Sequence, residues 1–117
     1  SRPRRLLDDA IAYPAWSPDG RLIAVELRGA ETHIGVLTLA DGSLTDLGPG
    51  AVPNWSPDGR RLAFTAPQAD AWAIHVMDAD GTNRRRLTHD ASFDTLPLWS
   101  PDGTRILFHS RPADERG

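Results

Sequence analysis

Three serines invite a catalytic reading first. Ser17, Ser56 and Ser100 each precede a proline and stand two residues before an aspartate: Asp19, Asp58 and Asp102. A hydroxyl beside a carboxylate could begin a nucleophile-and-base arrangement. None of the three lies in Gly-x-Ser-x-Gly, and a serine followed by proline is ordinary turn chemistry. No catalytic residue is assigned.

Metal chemistry fares no better. Asp78-Ala79-Asp80-Gly81 opens like a calcium loop. Such a loop needs further oxygen ligands and a terminal glutamate, whereas this stretch runs into Arg84-Arg85-Arg86. A hairpin turn is the better reading. His33, His75, His89 and His109 show no His-x-x-x-His pair, and the chain has no cysteine for a thiolate site or a disulfide. The expectation is no metal and no cofactor. The arginine triplet raises nucleic acid as a partner, but the net charge is −3, and charge on an outer strand also discourages further strand pairing. No nucleic-acid partner is expected.

The elements that would position these residues follow from a repeat. Trp-Ser-Pro-Asp-Gly occurs at 16–20, 55–59 and 99–103, spaced by 39 and 44 residues. A fixed period in that range marks a repeat architecture. Proline pre-sets φ at the second turn position and glycine supplies the left-handed conformation at the end, so each copy is a hairpin tip. Trp16, Pro18, Asp19, Gly20, Trp55, Pro57, Asp58, Gly59, Trp99, Pro101, Asp102 and Gly103 are accordingly structural turn residues. Each tryptophan is expected to pack between neighbouring units.

Seven to nine residues past each tryptophan stand Ile23-Ala24-Val25, Leu62-Ala63-Phe64 and Ile106-Leu107-Phe108, short apolar runs that read as buried strands. Asp41-Gly42 and Asp80-Gly81 mark a second hairpin in two copies, between 34–39 and 44–47 and between 73–78 and 84–88. Each complete repeat is therefore a meander of four short antiparallel strands.

Pro-x-Trp-Ser-Pro-Asp-Gly, the apolar triplet, Ile74-His75-Val76-Met77-Asp78, Asp80-Gly81 and Arg86-Leu87-Thr88 together resemble the TolB-type β-propeller repeat. The resemblance implies an all-β fold of propeller blades, about three per chain: 4–7 as the last strand of an incomplete blade, 13–47 as blade 1, 52–88 as blade 2, and 96–110 as the first two strands of blade 3. It also implies a setting in the bacterial periplasm or cell envelope. Function follows less directly, because such propellers serve as binding proteins and as accessory domains of peptidases. Three readings stay open. They are a non-enzymatic protein-interaction scaffold, a substrate-gating domain of a larger enzyme such as a serine peptidase, and a small-ligand or sugar-binding propeller.

A ring needs roughly four to eight blades, which three cannot supply. The chain is then either part of a longer propeller or half of a six-bladed homodimer, with Arg4–Leu7 pairing to the last hairpin of another copy. All thirteen basic residues are arginine, a pattern of GC-rich bacterial genomes. No apolar run reaches membrane-spanning length, so no membrane insertion is expected. No signal peptide is visible, and the start at Ser1-Arg2-Pro3 suggests a mature fragment that would have lost one.

In a meander the hairpin turns share one end, and the loops that differ between repeats share the other. Binding residues favour variable loops on a rigid scaffold. Tyr13, His33, Trp72, His89, Phe93 and Asp94 on those loops are the expected contacts for a protein partner.

Overall fold

The structure, a computed structural model, describes residues 11–68, 71–89 and 92–112, with only the backbone described at 11–13 and 68. Every regular element among them is a strand. β1 (Ile11–Trp16), β2 (Leu22–Leu27), β3 (His33–Thr38) and β4 (Ser43–Pro49) make a four-stranded antiparallel meander, blade 1. β5 (Ala51–Trp55), β6 (Arg61–Gln68), β7 (Ala71–Asp78) and β8 (Arg85–Arg86) repeat that order as blade 2. β9 (Ser92–Trp99) and β10 (Ile106–Pro112) form the hairpin that opens blade 3. The expected strand at 4–7 lies outside the described residues.

The tips are built by the repeated pentapeptide. In each, the glycine N–H donates to the serine carbonyl at 2.9 Å (Gly20 to Ser17, Gly59 to Ser56, Gly103 to Ser100). The glycines sit at φ of 73–75°, a region costly to any residue with a Cβ. The serine hydroxyl donates to the aspartate two residues on, at 2.6–2.7 Å, and accepts the N–H of Leu22, Arg61 or Arg105. Both faces of the hydroxyl are thus committed to the turn. The aspartates accept a further backbone N–H at 3.0 Å. These bonds hold their carboxyls below the usual range, with Asp102 lowered to about 2.

Blades 1 and 2 meet in the core. Ala24, Ile34 and Val36 of blade 1 pack against Trp55, Leu62, Phe64, Ala66 and Met77 of blade 2, all buried. Burial of this apolar surface is what holds one blade on the next. Polar ties add direction. Trp55 Nε1 donates to the Ala15 carbonyl at 2.8 Å, and Trp99 Nε1 to the Asn54 carbonyl at 3.1 Å. In both, the tryptophan reaches back to the residue just before the preceding blade's tryptophan.

Trp16 departs from the expected packing. It is 60% exposed, against 7% for Trp55, because it opens blade 1 and no described blade precedes it. The fourth strand of blade 2 is also shorter than the run 84–88, since only Arg85 and Arg86 pair fully with β7. At the other end of β7 the chain returns instead as β9, with Trp72 opposite Phe93 in parallel.

β1, β5 and β9 each change register shortly before their tryptophan. In β5 and β9 the irregularity places Val52 and Leu96 at φ of 53° and 57°. That conformation costs a β-branched residue about 1–3 kcal/mol and persists only where neighbours enforce it. At Val52 the enforcer is visible. Its N–H donates at 2.8 Å to Oε2 of Glu26, a buried carboxylate on blade 1 whose other oxygen is bridged by Arg28 at 3.0 Å.

Candidate functional site

The loops between second and third strands and those between blades gather at one end, and a cavity of about 300 Å³ opens there between blades 1 and 2. Its described lining comes from five strands and the segment that leads into β3. Pro49, Gly50, Ala51 and Val52 form the crossover; Thr65, Ala66 and Pro67 lie on β6; Trp72 belongs to β7 and Thr95 to β9, and Glu31 and Thr32 precede β3. Gly50 permits the close approach: a Cβ there would lie 2.6 Å from the Phe64 ring and 3.0 Å from Ile34. The backbone therefore rests on the apolar core, and the cavity sits directly above it.

Trp72 is 45% exposed and meets Phe93 edge to face, with ring centroids 5.5 Å apart. Arg111 lies over the other aromatic, 5.7 Å from the Phe93 centroid. Phe93 is thereby fixed by its neighbours, while Trp72 keeps an open flank. An anchored aromatic with a free face is the usual hot-spot chemistry of a binding surface.

His33 stands in a carboxylate clamp beside the Glu31 rim. Its Nε2 is 3.0 Å from Glu31 and its Nδ1 is 2.9 Å from Asp46. A neutral imidazole has one N–H, so two acceptors favour the doubly protonated ring. The hydrogen bond to Glu31, then that to Asp46, raises the His33 pKa above its ordinary value. Asp46 is lowered by the Gly48 N–H and by His33. His75 is the opposite case: stacked on Phe64 at 5.5 Å, it is pushed down by burial.

The six expected contact residues do not all converge. Trp72 and Phe93 touch each other at the loop end, and His33 adjoins the same cavity through Glu31. His89 is exposed. The side chain of Tyr13 lies outside the described residues. Asp94 is a correction: it is fully buried, with Oδ1 accepting from Ser110 at 2.6 Å, and it offers no surface to a partner. Thr65 also donates its hydroxyl to the Asp94 carbonyl, which ties blade 2 to the third hairpin.

The strained Val52 and the buried Glu26 behind it were not foreseen, nor was the role of Arg84. Far from serving only as an edge charge, Arg84 lies over the Phe64 ring, 4.6 Å from its centroid, and donates to the Pro49 carbonyl. It closes the crossover from outside, and partial desolvation of its guanidinium, which is otherwise exposed, lowers its pKa.

Among the described residues that line the cavity, Glu31 is the one titratable group, and it is engaged by His33. Among the described residues no three metal-ligating side chains converge, and no helix is long and apolar enough to cross a membrane. An apolar cleft with an aromatic wall is suited to binding.

Comparison with known proteins agrees with the architecture. A solved structure described as TolB from Agrobacterium tumefaciens is similar at 30% identity and a TM-score of 0.82, over 90% of this chain and 40% of that one. TolB from Acinetobacter baumannii matches at 24% identity and a TM-score of 0.77, over 89% of this chain and 27% of that one. Acylaminoacyl peptidase from Pyrococcus horikoshii shares the fold at 24% identity and a TM-score of 0.72, over 85% of this chain and 17% of that one. The chain thus spans less than half the length of these structures. None of the curated proteins compared matches it. The family model described as TolB beta propeller domain covers residues 6–115, nearly the whole sequence. With its repeated turns, four-stranded blades and backward-reaching tryptophans, the chain belongs to the TolB beta propeller domain family.

Proposed function

We propose that this chain is a non-catalytic propeller module whose loop end receives an apolar segment of a protein partner, in a bacterial periplasm or cell envelope. The observation that carries the reading is the cleft between blades 1 and 2, floored by Gly50 on Phe64 and flanked by the open face of Trp72. The setting rests on the family resemblance. A partner would bury its side chain against Trp72, Pro67 and Pro49 and meet the Glu31–His33 pair at the rim.

Selection of linear peptides displayed on phage tests this. The expected result is enriched peptides whose affinity falls about tenfold or more when Trp72→Ala and His33→Gln are combined. Peptides that bind the double variant as tightly as the parent, or no enrichment at all, would overturn it.

A second reading is an accessory propeller of a larger enzyme. It is favoured by the likeness to acylaminoacyl peptidase, of which the matched part is a minor share. Sequencing the gene beyond Gly117 separates the two, since this reading requires a catalytic domain in the same polypeptide.

A further inference from the structure

We propose that the segment received by the cleft between blades 1 and 2 carries a basic side chain, whose cation sits between Trp72 and the carboxylate of Glu31 and competes there with His33. The inference rests on the binding reading above and gives it a ligand chemistry. Of the described residues that line the cleft, Glu31 alone carries a charge, and that charge is negative. The remaining lining is aliphatic, prolyl, threonyl or aromatic, which suits the methylene stem of a lysine or arginine as well as an apolar neighbour. A cation entering such a cleft needs an acceptor of opposite charge, and Glu31 supplies it.

The aromatic wall points the same way. The chain sets a guanidinium over both neighbouring phenylalanines: Arg84 lies 4.6 Å from the Phe64 centroid and Arg111 lies 5.7 Å from that of Phe93. Among the described residues no cation lies over Trp72, which packs edge to face with Phe93 and stays half exposed. An indole offers a cation the best of the aromatic faces. A lysine or arginine of the partner completes the series with a charge from outside the chain.

His33 couples this site to protons. Its ring bridges two carboxylates, Nε2 to Glu31 at 3.0 Å and Nδ1 to both oxygens of Asp46 at 2.9 Å. Among the described residues these are the titratable groups that face it. Arg28, earlier on the same loop, is turned to Glu26; β2 and β4 present Leu27 and Pro49 opposite His33, and β5 carries no ionisable side chain. Asp46 also accepts the Gly48 N–H at 2.9 Å, whereas His33 is the one described side chain that holds Glu31. Loss of a proton therefore leaves Nδ1–H with Asp46 and frees Glu31, whose side chain is 67% exposed and can turn to a ligand. A ligand cation at Glu31, whether it displaces the imidazolium or stands beside it, disfavours the charged ring. By linkage, binding expels a proton from His33, and affinity rises with pH until the ring is neutral in the free protein.

The test uses peptides selected on phage against the full 117-residue chain, remade as histidine-free, end-blocked synthetic peptides and titrated by calorimetry at about pH 5.5 and about pH 8.5. The expected peptides share a lysine or arginine beside an apolar residue. Replacing that base with norleucine or citrulline, or Glu31→Gln in the protein, weakens binding about tenfold or more. Affinity for the parent rises about tenfold for each unit by which the ligand lowers the His33 pKa, and it is independent of pH in His33→Gln. His75 and His89 are present in both proteins and serve as the control. The peptide analogues leave the protein untouched, so their loss of affinity reads the contact and not the fold. Enriched peptides that lack a base, or basic peptides indifferent to Glu31→Gln, would overturn the inference and leave the binding reading standing. So would affinity that is flat with pH in the parent, or a pH slope that persists in His33→Gln. No enrichment at all would overturn both.

Discussion

Replacing Trp55 with alanine isolates what one blade contributes to its neighbour. A tryptophan buries some 150–250 Å², and at about 25 cal/mol per Å² its removal from water is worth ~4–6 kcal/mol. Compact unfolded chains already hide part of that area, which brings the expectation to about 3–5 kcal/mol, the usual range for such truncations. Trp16 is the internal control, since it has the same pentapeptide and the same turn but 60% of its surface stays in water. Scaling by the buried share gives ~1–2 kcal/mol for Trp16→Ala. A third variant, Trp55→Phe, keeps most of the ring but leaves the Ala15 carbonyl without its 2.8 Å donor, for about 0.5–1.5 kcal/mol. Urea unfolding followed by circular dichroism, at dilutions where scattering reports a monomer, reads all three as shifts in midpoint at constant slope. Equal losses for Trp55→Ala and Trp16→Ala would refute the reasoning, because the tryptophans would then act through their turns and not through the blade interface.

Two further outcomes are expected. His33 gains partners on folding and its pKa is raised, so its contribution is complete below about pH 6.5 and is lost as pH rises through the higher folded value. Chemical denaturation from pH 5 to 9 should show this slope in the parent and not in His33→Gln; His75 titrates in the opposite sense in both proteins and cancels. Gly50→Ala should destabilise by about 1–3 kcal/mol, since its methyl group would press on Phe64 and Ile34. A thermal midpoint unchanged by Gly50→Ala would mean that the crossover does not rest on the core.

Features whose causes lie within a few residues were legible in the sequence. The pentapeptide carries its turn chemistry in five consecutive positions, so its hairpins and the four-strand period could both be read before any coordinates. Long-range features were not. Val52 shows no glycine or asparagine to announce a left-handed conformation, because the force that holds it there is the carboxylate of Glu26, 26 residues earlier. Asp94 reads as an exposed loop acid. Its burial depends on Ser110 and on the return of β9 beside β7, neither of which leaves a local pattern. Arg84 belongs to a charged triplet, and only the folded chain reveals the Phe64 ring beneath it. Trp72 falls between these cases. Its loop position marked it for contact, whereas its pairing with Phe93 depends on the path of the connection between blades.

The backward reach of Trp55 and Trp99 has a consequence for how such genes can change. Each reach ends on backbone carbonyl, which every sequence supplies, and the side chains that complete it travel inside the same repeat. A duplication or deletion of one whole unit, joined in the crossover near Gly48, would bring its own tryptophan, proline and glycine and find a matching acceptor on either neighbour. The number of blades can therefore drift in steps of about forty residues while the chemistry between them stays fixed. Selection for a ring of a given size would then act on the curvature of the whole array and leave the individual contacts untouched.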